Sequence, residues 1–217
     1  MAGDDRAALD ALLEREVSEP ARAALLRFTA LVRQWSRKTD LVRVRSASTL
    51  AELLFLDALQ LASLVPEDAS VIDVGAGAGA PALPLAVLRP DLRLALLEPR
   101  RRRVMFMRLA AGSLGVADRV DVREGRLEEP PSPATTGFDF AYSRATFAPP
   151  EWLRRGRALA QEVGVLLARE EPPSQPGLRV GQDHAYAVPS SGAPRRIVTY
   201  IVTKGEPAGP VLVGSEA

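Results

Sequence analysis

The sequence of 217 residues contains no cysteine and a single histidine, His184. The lack of cysteine excludes disulfide bonds, thiolate zinc sites, iron–sulfur clusters and a cysteine nucleophile. One histidine excludes a site built from several histidines and leaves any Ser–His–Asp triad dependent on that one residue. Lysine is also scarce, because Lys38 and Lys204 are the only lysines among 28 basic residues. We therefore expect neither hydrolase chemistry nor a bound metal ion.

Long apolar runs are missing as well. The most apolar stretch, residues 53–65, is interrupted by Asp57 and Gln60 and is shorter than the roughly 20 residues that span a bilayer. The first ten residues are polar and acidic and lack the pattern of a secretory signal. With 47% hydrophobic and 25% charged residues, the composition is that of a globular chain able to bury a core. We expect a cytoplasmic protein without membrane contact.

The formal net charge is only +1, but the charges are unevenly distributed. Residues 21–50 carry seven basic side chains against Asp40 alone, and Arg100 to Arg103 are four consecutive arginines. Four consecutive side chains on a helix point in different directions, so they cannot all be buried. Each basic run by itself is typical of a solvated helix surface. Together they make nucleic acid a candidate partner.

The periodicity of apolar residues predicts a helical first third followed by alternating strands and helices. Helices are predicted over residues 8–17, from Pro20 onward and from about Thr49 to Leu64. From Ala69 onward, seven short apolar runs alternate with helical patterns, which is typical of an α/β fold with a mostly parallel sheet. Only a short polar loop separates the last two runs, so we expect a terminal antiparallel hairpin. We expect a helical region 1–65, an α/β core 66–205 and a tail 206–217.

The most informative segment is VIDVGAGAGAPALPLAV, residues 71–87. A β-run is followed by Gly75, Gly77 and Gly79 and then by an apolar helix. Glycines at these positions let the turn tighten and let a ligand touch the backbone, beside free N–H groups at the start of the helix. The pattern predicts a nucleotide-type cofactor.

Two acidic residues frame this glycine turn. Glu98 ends the following strand, 23 residues after Gly75, where a carboxylate can accept hydrogen bonds from both hydroxyls of a ribose. The glycines alone also satisfy the dinucleotide pattern G-x-G-x-x-A. Asp73, two residues before Gly75, favours a different cofactor, because D-x-G-x-G-x-G resembles motif I of class I S-adenosylmethionine-dependent methyltransferases.

A wider resemblance extends from about Leu25 to Lys204. The segments that carry it are WSRKTDL (35–41), LFLDAL (54–59), the glycine segment, LLEPRRRRVMFM (96–107), REGRLEE (123–129), SRA (143–145) and RIVTYIVTK (196–204). In order and spacing they resemble the RsmG family, also called glucose-inhibited division protein B. That family methylates N7 of a guanine in bacterial 16S ribosomal RNA. The resemblance implies the class I methyltransferase fold, S-adenosylmethionine as cofactor, the small ribosomal subunit as partner, and a monomer.

The resemblance also implies the site residues. It places the cofactor at Asp73, Gly75, Gly77, Gly79, Ala80, Glu98, Leu127, Glu128 and Arg144, with the adenine beside Leu127 and Glu128. Arg144 and Asp57 are the candidate catalytic residues. For RNA contacts the candidates are Arg37, Lys38, Arg100, Arg101, Arg102, Arg103 and Arg169.

Several polar positions of the family pattern are replaced. Family asparagines stand here as Ser36 and Asp40, and the family histidine and serine near Asp57 stand as Leu54 and Ala58. Two alternatives therefore remain beside ribosomal RNA methylation. In the first alternative, the chain is a relative that methylates a small molecule or a protein. In the second, it is a paralogue that binds S-adenosylmethionine or RNA without turnover.

The residues restrict the methyl acceptor. Cytosine C5 methylation requires a cysteine nucleophile, which the chain lacks. Guanine N7 carries a free lone pair and no proton, so its methylation needs alignment in a dry pocket but no general base. The segment from Tyr142 to Ala145 also lacks the usual signature of amino-group methylation, an Asn or Asp followed by two prolines. N7 or a similarly proton-free nucleophile is the acceptor that fits.

Overall fold

The structure, a computed structural model, describes residues 2–13, 17–39, 41–43 and 46–203. Its strands are β1 (Ser70–Val74), β2 (Arg93–Glu98), β3 (Val120–Glu124), β4 (Phe138–Ser143), β5 (Ala160–Leu167), β6 (Leu178–Ala187) and β7 (Pro194–Val202). Its helices are α1 (Ala2–Asp10), α2 (Glu19–Ser36), α3 (Ala47–Ala51), α4 (Asp57–Leu64), α5 (Ala82–Leu88), α6 (Arg101–Leu114) and α7 (Pro149–Gly156). A π-helical turn (Glu52–Leu56) joins α3 to α4, and a 3-10 turn (Pro133–Thr135) precedes β4.

All seven strands belong to one sheet with the order β3-β2-β1-β4-β5-β7-β6. The first five strands pair in parallel, whereas β7 pairs antiparallel with both β5 and β6. The predicted mostly parallel sheet with a terminal hairpin is therefore confirmed. The carboxyl ends of β1, β2 and β4 lie side by side, which brings the residues that follow them to one edge.

Helices cover both faces of the sheet. On one face, α2, α4, α5 and α6 bury Phe28, Leu61, Leu85 and Phe106 in one apolar cluster with the sheet. On the other face α7 packs against β5, where the Trp152 indole N–H donates to the Gly164 carbonyl over 2.9 Å.

The helical region departs from the sequence prediction at two places. The predicted helix 8–17 is wrong, because α1 ends at Asp10 and residues 14–16 lie outside the described part of the chain. Asp4 and Asp5 lie in the first turn of α1, where carboxylates stabilise a helix N-terminus, and this explains the earlier start. The third predicted helix is present from Ala47 to Leu64, but it is interrupted by the π-turn. The second begins at Glu19, where the Ser18 hydroxyl accepts from the Ala21 N–H over 3.4 Å.

By length and composition alone, the helical run Ala47–Leu64 would suffice to cross a membrane, which the sequence analysis did not anticipate. Within the protein, however, 61% of this run is buried. It packs against α1, α5 and β7. A buried core helix can have the same composition as a membrane span, so composition alone is weak evidence that this run crosses a membrane.

The edge strand β6 begins at Leu178, whereas the last apolar run but one in the sequence, DHAYAVP, begins only at Asp183. Most side chains in the first half of β6 are exposed, so this half carries no signal of a buried strand. An irregularity in the β6–β7 pairing between Val180 and Asp183 separates the two halves.

Candidate active site

The main cavity lies at the carboxyl edge of the sheet and has a volume of about 830 Å³. One side consists of Asp73, the glycine turn after β1, and Arg103 of α6. The opposite side consists of the π-turn, the start of α4 and the terminal hairpin, with Leu53, Leu54, Asp57 and Tyr186 among its lining residues. Arg144, which directly follows β4, also lines it.

The glycine turn is built by its own backbone. Gly75 and Ala76 donate their N–H groups to the Leu97 carbonyl over 2.8 and 3.1 Å, and Gly79 donates to the Ala76 carbonyl over 2.8 Å. Gly75 has a φ of +81°, and a Cβ placed there would lie 2.1 Å from the Thr146 hydroxyl oxygen. Gly75 is thus required by the close approach of the loop that follows β4.

Gly77 has a φ of +61°, but it differs from Gly75 in its surroundings. The nearest atoms to an added Cβ, the Arg103 Nη1 and the Gly75 carbonyl oxygen, are both 3.8 Å away. The Gly77 side of the turn therefore opens into the cavity, where a ligand can touch the backbone.

The side chain of Glu98 binds the backbone of this turn. Its buried carboxylate accepts the Gly77 N–H through Oε2 and the Arg100 N–H through Oε1, both over 2.9 Å. The Arg103 Nη1 lies 3.9 Å from Oε2. A carboxylate has about four acceptor positions, so these two backbone bonds leave capacity for ribose hydroxyls.

Asp73 lies at the end of β1 and is 1% exposed. Neither of its carboxylate oxygens makes a hydrogen bond of normal geometry to a described residue, although the equally buried Tyr142 hydroxyl, which also lacks a partner, lies close enough to lower the pKa of Asp73. Burial raises the pKa of Asp73 to about 7, although the positive charge of Arg144 opposes this shift. An unpartnered buried polar group is unfavourable, so this carboxyl group fits a ligand with donors or positive charge in the cavity.

Arg144 and Asp57 form an ion pair across the cavity. The Arg144 Nη1 donates to the Asp57 Oδ2 and to the Leu53 carbonyl, both over 3.0 Å. Ala145 follows with a φ of +56°, a left-handed conformation that is unusual for alanine. The chain thus bends sharply where Arg144 enters the cavity.

The structure does not bring all the proposed cofactor residues to the cavity surface. Asp73, Gly75, Gly77, Ala80 and Arg144 line the cavity. Gly79, which is packed against Leu83, and Glu98, which is 3% exposed, do not line it. Leu127 packs against the α7 side of the sheet and Glu128 is exposed, and neither lines the cavity as it stands.

The basic candidates lie around this edge and on α2. Arg103 lines the cavity, and its neighbours Arg100, Arg101 and Arg102 are exposed at the start of α6. Arg169 is exposed next to Glu170, which lines the cavity. Arg37 and Lys38 are exposed just after α2. Asp40, one of the replaced family positions, lies outside the described residues.

The lining residues that sequence reasoning missed include Glu52, Thr146, Tyr186 and Arg195. Tyr186 and Arg195 face each other in the β6–β7 pairing, but the sequence carries no signal that the hairpin folds back onto the π-turn. Thr146 directly follows the SRA segment, so this motif could have indicated it.

Comparison with known proteins and family models matches most of this chain. A family model described as GidB, rRNA small subunit methyltransferase G, matches residues 21–170. The chain is 38% identical over 157 residues to "Ribosomal RNA small subunit methyltransferase G" of Frankia alni, a match covering 70% of this chain and 59% of that protein. The relative of the same name from Desulfotalea psychrophila is 36% identical over 132 residues, covering 60% of each chain. The chain thus spans about three fifths of the length of these two relatives.

Among solved structures, an O-methyltransferase from Bacillus cereus in complex with SAH aligns with a TM-score of 0.59 at 15% identity, covering 93% of this chain and 100% of that chain. This likeness concerns the fold, which is that of the class I Rossmann-like methyltransferases. The family model spans more than half of the chain and the relatives exceed 30% identity. This chain belongs to the rRNA small subunit methyltransferase G family.

Proposed function

We propose that the protein is an S-adenosylmethionine-dependent methyltransferase that methylates N7 of a guanine in 16S ribosomal RNA. The observation that carries the proposal is the combination of an unpartnered buried carboxyl group, Asp73, with a glycine turn that is open to the cavity at Gly77. Membership in the rRNA small subunit methyltransferase G family supports ribosomal RNA as the substrate. The proposal includes a cytoplasmic location and action as a monomer.

The residues present fit the cofactor. In the proposal, Glu98 binds the ribose, and Leu127 and Glu128 border the adenine. The other cofactor contacts are Asp73, Gly75, Gly77, Gly79, Ala80 and Arg144. Asp73 makes no hydrogen bond of normal geometry to a described residue, and a cationic ligand would lower its raised pKa and favour its charged form. S-adenosylmethionine supplies a methyl group on a positively charged sulfur, which an aligned nucleophile displaces in line.

The protein's own groups suit an acceptor that carries no proton. The only histidine, His184, does not line the cavity, and its Nε2 lies 2.7 Å from the Gln60 Oε1. The buried Tyr142 hydroxyl has a pKa raised well above its usual value by burial and then by the neighbouring Asp73 charge, so it stays protonated and is not available as a base. Asp73, with its pKa of about 7, is in the proposal bound to the cofactor. N7 of guanine needs no base, so binding and alignment are the contributions required of the chain.

Arginines at the cavity edge suit an RNA substrate. Arg100, Arg101 and Arg102 follow directly after Glu98 and are exposed. Guanidinium groups bind phosphate through several donors at once. In the proposal these three residues, together with Arg103, Arg37, Lys38 and Arg169, contact the RNA backbone.

A second candidate function is methylation of a small molecule or a protein. The observation that favours it is the apolar lining at Leu54, which stands where the family has histidine and is 1% exposed. The low net charge of +1 also favours this candidate, because a protein that binds RNA usually carries a larger positive charge.

One transfer experiment separates the two. The protein is incubated with methyl-tritiated S-adenosylmethionine and with small ribosomal subunits from cells that lack the modification, with large subunits as the parallel acceptor. We expect label in the small-subunit RNA alone, and its loss in Glu98→Ala but not in Glu124→Ala. Glu124 is a suitable control because it is exposed and pairs with Glu98 in the neighbouring strand β3. Tight cofactor binding without label in RNA would contradict the ribosomal substrate and favour the second candidate.

A further inference from the structure

The hydroxyl of Tyr186 extends the Arg144–Asp57 pair to the terminal hairpin. Tyr186 lies on β6, and its hydroxyl donates to the Asp57 Oδ1 over 2.8 Å. The other oxygen of the same carboxylate, Oδ2, accepts from the Arg144 Nη1 over 3.0 Å. Asp57 therefore binds the two side chains at once, one from each side, and its side chain is only 16% exposed.

The π-turn gives the helix two contacts with the same hairpin. Glu52 accepts both the N–H and the hydroxyl of Ser190, each over 2.6 Å, while Asp57 accepts from Tyr186. Residues five apart on an α-helix point about 140° away from each other, so a regular helix would turn one of them away. A π-helical turn holds more residues and brings positions five apart nearer to one face.

The rest of the Arg144 guanidinium is available to a ligand. Both hydrogen bonds that Arg144 makes to described residues use Nη1, with Asp57 and with the Leu53 carbonyl. Its Nη2 and Nε keep their donors for an acceptor in the cavity. Nη1 is held by two acceptors, the Asp57 carboxylate and the Leu53 carbonyl, so the direction of the remaining donor edge depends on where these two acceptors lie.

We infer that Tyr186 is a positioning residue: by fixing the Asp57 carboxylate, it holds the Arg144 guanidinium in the orientation that binds the cofactor or the target base. The inference rests on the proposed function, because it assigns Tyr186 a part in that same site. The Tyr186 hydroxyl stays protonated, since burial and then the Asp57 charge raise its pKa. Both oxygens of the Asp57 carboxylate are bound to protein groups, so in this inference Asp57 acts through Arg144.

A purely structural role for Tyr186 makes a different prediction. In that case any hydrogen bond that fastens the hairpin to the helix would matter equally. The hairpin offers a matched control two residues away, because the His184 Nε2 lies 2.7 Å from the Gln60 Oε1. The His184 ring stacks on Tyr186 with the ring centres 5.9 Å apart. His184→Phe therefore keeps the stacked ring and removes only the bond to Gln60.

The test compares Tyr186→Phe with His184→Phe in two measurements. The first is the NMR signal of the Arg144 Nε–H group, identified by its loss in Arg144→Lys. We expect a rigid side chain in the wild type and in His184→Phe, and a mobile one in Tyr186→Phe. The second is kcat/KM for methylation of small subunits, together with the Kd for S-adenosylmethionine. We expect Tyr186→Phe to lower kcat/KM about tenfold, as for loss of one hydrogen bond to a charged group.

The double variant provides the decisive comparison. In an Arg144→Ala background, Tyr186→Phe is expected to cause no further loss of affinity or activity, because there is no guanidinium left to orient. An equal effect of Tyr186→Phe and His184→Phe, or an undiminished effect in Arg144→Ala, would overturn the inference. The NMR measurement needs no turnover, so it distinguishes failure of this inference from failure of the proposed function.

Discussion

The backbone N–H of Gly77 donates to the Glu98 Oε2 over 2.9 Å, which ties the glycine turn after β1 to the end of β2. Glu98 uses its second oxygen for the Arg100 N–H, at the start of the arginine run. One buried carboxylate thus joins the proposed cofactor turn to the proposed RNA surface. The glycine turn and the arginine run lie at one edge of the sheet because they follow the neighbouring parallel strands β1 and β2.

Glu98→Gln is expected to weaken S-adenosylmethionine binding by about 10-fold to 100-fold, the usual range for hydrogen bonds to a charged group. The amide replaces one acceptor oxygen with a donor, which then faces the N–H of Gly77 or Arg100. Isothermal titration calorimetry measures the change. Glu124→Gln, on the adjacent strand, is the control and should bind like the wild type. Equal affinities in all three proteins would contradict a role for Glu98.

Gly77→Ala and Gly115→Ala form a matched pair of substitutions. Both glycines have positive φ, and an added Cβ meets nothing within 3.4 Å at either position. Each substitution should therefore lower the free energy of unfolding by about 1–2 kcal/mol from backbone strain alone. Only Gly77 lines the cavity, so only Gly77→Ala should weaken cofactor binding, by about tenfold or more. Unfolding in urea and calorimetric titration check the two parts, and a loss of affinity in Gly115→Ala would count against the site.

Asp73 makes the stability of the ligand-free protein depend on pH. Its pKa of about 7 lies above the unfolded value of 3.8 because the group is buried. Between these values the native state binds more protons than the unfolded state, so its stability falls as the pH rises. Asp73→Asn removes this dependence. The free energy of unfolding of the variant relative to the wild type should rise by about 2–3 kcal/mol from pH 5 to pH 8. A difference that stays constant across this range would show that the pKa of Asp73 is not raised in the native state.

The double variant Arg101→Gln/Arg102→Gln is expected to weaken binding of single-stranded RNA and leave the Kd for S-adenosylmethionine unchanged. Neutralising two phosphate contacts should reduce the slope of log K against log salt concentration by about 1.4. Arg93→Gln is the control, because Arg93 is exposed at the opposite end of β2. Fluorescence anisotropy across a salt series measures the slopes. An unchanged slope in the double variant would remove these two arginines from the RNA surface.

The fold could be predicted from the sequence because its signals are local. Most strands of the sheet are short apolar runs, and the terminal hairpin follows from the short polar loop between the last two runs. The family resemblance is carried by contiguous motifs, above all the glycine turn with Asp73 and Glu98, and it is confirmed.

The far wall of the cavity could not be predicted, because it depends on contacts between distant segments. Tyr186 reaches Asp57 across 129 positions of sequence, and Ser190 reaches Glu52 across 138. Such pairs leave no periodic pattern. The π-turn was also missed, since Glu52–Leu56 has the same apolar spacing as the regular helix around it. The RNA and adenine contacts, including Leu127 and Glu128, stay predictions.

The most direct test of the central claim identifies the modified nucleoside itself. Small subunits that lack the modification are treated with the protein and S-adenosylmethionine, and the 16S RNA is digested to nucleosides for mass spectrometry against authentic standards. The account predicts 7-methylguanosine, absent when Glu98→Ala replaces the wild type and present with Glu124→Ala. Methylation at another guanine position or on another base would contradict the account.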